Sequence, residues 1–216
     1  MKICNNDLTE LDIDNLKNYW NNNESRIRAG WVQDGKVLDR KLEIKKSDAE
    51  FSIVENIVKK YFTEYDDIWC AFQRQHFVQP IHIDDYSAGD GDKYRYTFIF
   101  SVLTEPRAKT IVWKDSALDV EKFNECVARW GRQRKILKKK SNLSTTEEIE
   151  HTFDPNQEDY LSDYLELDGI YENQKGSGVL FYSNRFHCSS NWIKHSDIPY
   201  MESLEIHVVS KQKLEI

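Results

Sequence analysis

Long apolar runs are missing from this chain, and no window approaches the ~18 consecutive apolar residues that a membrane-crossing helix requires. Its first residues, MKICNNDLTELDIDNLK, put acids and amides where a secretory leader needs an apolar core. A soluble, non-exported, cytoplasmic protein is expected. Cysteine is scarce too: Cys4, Cys70, Cys126 and Cys188 stand far apart with no CxxC pair, which speaks against a disulfide framework and against a cysteine zinc site. Positive charge is in deficit, with 30 Lys and Arg against 37 Asp and Glu and a formal charge of -7. Whole-molecule attraction to nucleic acid or to an anionic membrane is therefore disfavoured. Neither GxGxxG nor a P-loop occurs, so the nucleotide-binding α/β folds lack their usual signals, and no internal repeat is visible.

Core-forming residues are plentiful. Hydrophobic residues make up 39% of the chain, including 6 Trp, 11 Tyr and 10 Phe, and 216 residues suffice for one domain with a core that needs no disulfide or metal staple. Leu8, Leu11, Ile13, Leu16 and Tyr19 recur at helical spacing over residues 7–20, with Asp7 placed to cap the first turn. Ser47-Asp48-Ala49-Glu50 spells a capping box ahead of Phe51, Val54, Ile57, Val58, Tyr61 and Phe62, an amphipathic stripe that predicts a second helix. From Ile68 to Val78 the pattern turns aromatic and β-branched. Strand-like runs then recur at PIHID, YRYTFIFSVL, KTIVWK, GVLFYS and SLEIHVVS. Strands that follow one another without intervening helices predict an antiparallel sandwich or jelly roll, mainly β with flanking helices.

The expected organisation is a single domain over 1–216. Residues 1–66 form a helical N-terminal support, 67–210 the jelly-roll core, and about 116–175 an insertion. Val120, Phe123, Val127 and Trp130 predict a helix in that insertion, running into the basic stretch 132–140, and an acidic stretch follows. A solvated helix face accounts for the basic run; docking of an acidic partner or nucleic acid through Arg132, Arg134, Lys135 and Lys138 to Lys140 is the rival. The insertion is also placed to act as a lid over a substrate pocket.

Six histidines are available, and histidine is the commonest metal ligand. In PIHIDDY, His82 and Asp84 lie two apart, so a strand would turn an imidazole and a carboxylate to one face, half of a facial triad. Chance alone supplies about one His-x-Asp or His-x-Glu in a chain with this many histidines and acids. A second such pair, His195 and Asp197, sits in turn-like KHSDIP before Pro199, where no strand aligns the two side chains. A 2-His-1-carboxylate site needs a further histidine from a distant strand, and His187, after GSGVLFYSNRF, supplies it. Otherwise His82 is a surface-strand residue and His187 a core histidine.

HID, a long gap, GxGVLFYSxxxH and a last SLEIHVV strand together resemble the iron(II)- and 2-oxoglutarate-dependent oxygenases, over about residues 68–210. The resemblance implies a double-stranded β-helix, cupin-like in core, with Fe(II) held by His82, Asp84 and His187 and with 2-oxoglutarate and O2 as co-substrates. It also implies oxidation of a small-molecule or side-chain substrate that the residues do not identify, by hydroxylation or a related oxidation such as desaturation or demethylation. An aspartate at position 84, rather than a small residue, points away from halogenation. The chain departs from the family where 2-oxoglutarate is anchored: the usual Arg-x-Ser falls on Met201-Glu202-Ser203, keeping the hydroxyl and losing the guanidinium. Lys109, in RAKTIVW, matches the alternative lysine position of Jumonji-type relatives and is the expected anchor, with Ser203 assisting. Arg95 and Lys194 are the weaker candidates. A cupin-like metalloprotein that does not use 2-oxoglutarate, and a jelly-roll binding module without catalysis, remain the alternatives.

Overall fold

The computed structural model describes residues 1–33, 35–76, 82, 84, 93–103, 108–117, 165–190 and 199–216. One long strand near the C-terminus organises them. This strand, β10 (Met201–Ser210), pairs antiparallel with β4 (Asp67–Gln75) on one side and β5 (Tyr94–Ser101) on the other. Its sequence alternates, and both faces are buried. Leu204, Ile206 and Val208 project into an apolar core shared with Leu16, Ile57 and Val58 of the helices, where each fully buried side chain contributes about 1.5–3 kcal/mol. Met201, Ser203, Glu205 and His207 project the other way, so the polar side of the alternation turns inward between two sheets instead of out to water.

Seven strands form the larger sheet in the order β1-β8-β5-β10-β4-β3-β2, adding β1 (Lys2–Cys4), β2 (Arg28–Gln33), β3 (Lys36–Glu43) and β8 (Gly178–Tyr182). The smaller sheet has β6 (Lys109–Ala117) between β7 (Leu165–Glu172) and β9 (His187–Ser189), and an antiparallel bridge from His82 to His187 adds His82 beyond β9. Val112 of β6 packs on Val179 and Phe181 of β8, which ties the two sheets face to face. The architecture is a double-stranded β-helix, mainly β with flanking helices: the strand spacing predicts the jelly roll, and the family resemblance implies the β-helix.

Helix α1 (Glu10–Asn22) and helix α2 (Phe51–Tyr61) cover the apolar face of the larger sheet. Both caps differ from the sequence expectation. Thr9, not Asp7, caps α1: its hydroxyl accepts from the Asp12 N–H at 3.1 Å while the Asp12 carboxylate accepts from the Thr9 N–H at 2.9 Å. Such a capping box is worth about 1 kcal/mol. Asp7 instead holds Lys60 and Tyr61 of α2. The Ser47-to-Glu50 box does not form, because α2 begins one turn later; Glu50 sits at its N-cap without a side-chain bond, and Asp48 accepts from Tyr19, Arg26 and the Lys45 N–H.

Residues 1–66, read as a helical support, also contribute β1 and the β2–β3 hairpin, turned by Gly35 at φ 73°. At the other end of the core, both ends of the expected insertion over 116–175 are strand: β6 runs to Ala117, and β7 returns from Leu165 to pair Glu172 with Lys109 as part of the smaller sheet. The predicted helix at Val120 to Trp130, the lid and the basic run 132–140 lie outside the described residues. No described helix is long and apolar enough to cross a membrane.

Candidate metal centre

His82 and His187 exchange both backbone hydrogen bonds across their bridge, at 3.0 and 2.9 Å. Opposed residues in such a pair share a face, and the two imidazoles stand with ring centroids 4.1 Å apart. Asp84, two residues on from His82, is fixed by its own N–H on the Ser183 carbonyl. Its Oδ1 lies 3.5 Å from His82 Nε2 and 3.6 Å from His187 Nε2. Neighbouring ligands around a divalent metal at about 2.1 Å sit roughly 3 Å apart, so these separations need only a small adjustment. The donor set, two imidazoles and one carboxylate, fits a first-row metal such as iron(II).

Each donor is prepared by what lies behind it. The His187 Nδ1–H donates to the Arg185 carbonyl at 3.1 Å, which leaves the Nε2 lone pair facing Asp84. Burial pushes His187 down to about 4 against the opposing pull of Asp84, so its imidazole is neutral at pH 7. Burial alone would raise Asp84, but His187 and His82, with His207 behind them, outweigh it and hold the carboxyl far below the usual carboxylate range. Asp84 Oδ2 accepts from the Thr97 hydroxyl of β5 at 2.8 Å, and Thr97 is fully buried.

Thr97 extends the site into a chain of alternating charge. Its single hydroxyl hydrogen is committed to Asp84, so its contacts with Ser183 Oγ at 2.9 Å and His207 Nδ1 at 3.2 Å are ones it accepts. His207 then gives its other N–H to Glu205 Oε1 at 3.0 Å, an arrangement that favours its charged form. Burial works against that charge, but Glu205 raises the His207 pKa above its ordinary value. Burial would also raise Glu205; Lys41 of β3, with Nζ 2.6 Å from Oε2, and His207 bring it down to about 2. Asp84, Glu205 and His207 offer ligand atoms within 4.8 Å of one another, next to the triad. None of Lys41, Glu205 and His207 stands out in the sequence reading; the Glu-x-His spacing on β10, the mirror of His-x-Asp, is the signal that points to them.

Deeper between the sheets, a cavity of about 20 Å³ adjoins His187 and is lined by Gln73, Ile99, Thr110, Met201, Ser203 and Glu205. Ser203 thus lines this cavity. Lys109 does not. Thr110 and Val112 of β6 face the interior, so Lys109, Ile111 and Trp113 share the opposite face, and the expectation that Lys109 points into the pocket fails on the strand's period of two. Arg95 alternates with Thr97 and Ile99 on the inner face of β5, opposite Val209 at the rim, and is half-buried. Lys194, His195 and Asp197 lie outside the described residues. A larger groove of about 720 Å³, under Trp20, Arg40 and Arg74, is on the helix-covered face of the sheet and has no part in this centre.

No protein-family model matches the sequence, and a search of curated proteins finds no match. Solved structures do share its fold. A Pseudomonas putida prolyl-4-hydroxylase superposes with a TM-score of 0.51 at 11% identity, over 97% of this chain and 91% of that one. The non-haem alpha-ketoglutarate-dependent carbocyclase SnoK from nogalamycin biosynthesis superposes at 0.59 and 9% identity, over 96% and 78%. The epimerase SnoN, solved in complex with Fe3+, alpha-ketoglutarate and nogalamycin RO, gives 0.51 at 7% identity, over 99% and 82%. The fold is therefore that of 2-oxoglutarate- and iron-dependent oxygenases, in agreement with the resemblance carried by the HID and distal-histidine motifs.

Proposed function

We propose that this protein is an iron(II)- and 2-oxoglutarate-dependent oxygenase that oxidises an unactivated C–H bond of a small-molecule substrate, with hydroxylation as the preferred outcome. The observation that carries the reading is the meeting of His82 Nε2, His187 Nε2 and Asp84 Oδ1 on the inner wall of a double-stranded β-helix. A three-ligand site leaves positions for co-substrates, and when bound the metal supplies oxygen activation coupled to the decarboxylation of 2-oxoglutarate. The balance for hydroxylation is R–H, O2 and 2-oxoglutarate going to R–OH, succinate and carbon dioxide.

The chain's own residues do the positioning. His82, Asp84 and His187 hold the metal; Thr97 fixes which carboxylate oxygen of Asp84 faces it; Arg185 fixes the His187 tautomer. Ser203, Thr110 and Gln73 turn polar atoms toward the small cavity beside His187, which at about 20 Å³ holds a water-sized group. Succinate release from 2-oxoglutarate, measured with iron(II) and ascorbate and compared with Asp84→Ala, tests the reading. Succinate above the variant's background supports it, and none in any substrate mixture opposes it.

One observation favours a second reading, a cupin-like metalloprotein that does not use 2-oxoglutarate. Among the described residues no Lys or Arg lines the deep cavity, and Lys41, which reaches Glu205 on its wall, is engaged by that carboxylate. A buried dicarboxylate without a counter-charge is penalised by several kcal/mol. Metal binding without any 2-oxoglutarate binding would select this reading.

A further inference from the structure

The inner face of the larger sheet continues past the metal centre onto the β2–β3 hairpin and forms a groove of about 430 Å³ there, bordered by Arg28, Gly30, Lys41, Glu43, Lys45 and Trp69. We infer that this groove is the substrate cleft and that it takes a small organic anion with a flat, aromatic body. The inference rests on the oxygenase reading above and supplies its substrate class.

Three observations lead there. The first is continuity. Trp69 lies with its ring centroid 5.2 Å from that of His207, and Lys41, on the groove wall, reaches Glu205; His207 and Glu205 in turn stand within 4.8 Å of Asp84. A molecule lying on Trp69 therefore ends beside the triad.

The second is charge. Of the four cations bordering the groove, Arg26 is taken by Asp48 and Lys41 by Glu205. Arg28 and Lys45 have no carboxylate partner among the described residues, and Glu43 is the one acid on the wall. The wall is thus net positive in a chain of formal charge -7, which concentrates and orients an anion at this mouth. Arg28 stands opposite Lys41 in the β2–β3 register, on the same face, so its guanidinium can form the paired hydrogen bonds that a carboxylate or phosphate accepts.

The third is shape. Trp69 remains 36% exposed on the groove wall. Lys41 lies 5.6 Å from its ring centroid, so one end of the indole already carries a cation and the exposed part is left as a platform for a flat ring. At Gly30 a side chain would collide with Asp39 and Lys41, its Cβ falling 2.3 Å from Asp39 Oδ2, so the β2 backbone packs directly on those two side chains. A volume of about 430 Å³ suits a drug-sized molecule, not a folded partner.

The test is two-dimensional NMR on the full chain, reading the Trp69 indole N–H signal, which a Trp69→Phe sample assigns. The probes are equal-sized bicyclic aromatics: 1-naphthoate and 1-naphthyl phosphate, neutral 1-naphthamide, and cationic 1-naphthylmethylamine. The anions are expected to shift the Trp69 signal with dissociation constants at least tenfold below that of the amide, and the amine to leave it unchanged. The double variant Arg28→Gln with Lys45→Gln should lose that tenfold preference while its manganese(II) affinity stays the same. Naphthoate against naphthyl phosphate tells which anionic group is preferred. Equal binding of the amide or amine, no shift of Trp69 with any probe, or an undiminished preference in the double variant each overturns the assignment. A chain that binds manganese(II) but fails this test loses only the substrate class; one that passes it but binds no metal loses the oxygenase reading.

Discussion

Thr97 holds Asp84 by one oxygen only: its hydroxyl donates to Oδ2 at 2.8 Å, and Oδ1 is left facing His82 and His187. A carboxylate free to rotate would spend part of its time with neither oxygen aimed at the imidazoles, so this bond decides how well the triad is prepared for a metal. Thr97→Val keeps the shape of the buried side chain and removes the donor. Metal affinity measured by manganese(II) titration should drop about 10- to 100-fold, and Thr97→Ser should restore most of it. An unchanged affinity in the valine variant would show that Asp84 is oriented by something else.

Asp39 lies on the same inner face, 4% exposed, with Oδ2 bound by Gln73 and Oδ1 without a partner. Burial raises its pKa from 3.8 to about 6 despite the pull of Lys41. The sign follows from proton counting. Between about pH 4 and 6 the folded chain retains a proton that the unfolded chain has released, so stability falls as pH rises through that window and is level above it. Asp39→Asn should remove this contribution and stabilise the fold by about 1–3 kcal/mol at pH 7, as seen in urea midpoints measured at pH 4.5 and pH 7. A variant less stable at pH 7 than the parent would contradict the burial argument.

Gly178 opens β8 where the chain passes very close to β5. A Cβ there would fall 2.4 Å from the Ile99 carbonyl and 2.9 Å from Phe100 Cα, both backbone atoms of a central strand that has no room to retreat. Gly178→Ala should therefore cost about 2–4 kcal/mol, read from the denaturation midpoint, a large effect for one methyl group. A loss below about 0.5 kcal/mol would mean that β5 and β8 are less tightly paired than their register indicates.

The anchor of the co-substrate gives a sharper contrast. Lys109 is turned to the face of β6 opposite Thr110, so Lys109→Met should alter the 2-oxoglutarate dissociation constant by less than about threefold, whereas Ser203→Ala, on the cavity wall, should weaken binding by about three- to tenfold. Calorimetry on the manganese(II)-loaded protein distinguishes them. A hundredfold loss in the lysine variant would return Lys109 to the pocket.

Much of this arrangement is legible in the chain alone, and the reasons differ by element. His82, Asp84 and His187 can be read because a metal site needs particular atoms, and a strand's period of two makes the His-x-Asp spacing meaningful. β10 can be read as a strand from its alternation, but not which side faces water: in a two-layer fold the polar side of SLEIHVVS turns inward. The helix starts slip because Thr9 and Asp7 are equally good caps locally, and Asp7 is claimed by Lys60 and Tyr61, far away in sequence. The β2–β3 hairpin is hidden because its strands carry charges on an open groove wall, although Asp34-Gly35 is a turn signal. The orientation of Lys109 needs the packing of β6 on β8 and its register against β7 and β9, which no local pattern contains.

Metal binding by the triad tests the account most directly. Titration of the metal-free protein with manganese(II) or cobalt(II) should show one site per chain, and His187→Ala and Asp84→Ala should each lose at least a hundredfold in affinity while keeping the parent's β-rich circular dichroism. If either variant binds the metal as tightly as the parent, the centre formed by His82, Asp84 and His187 is not a metal site.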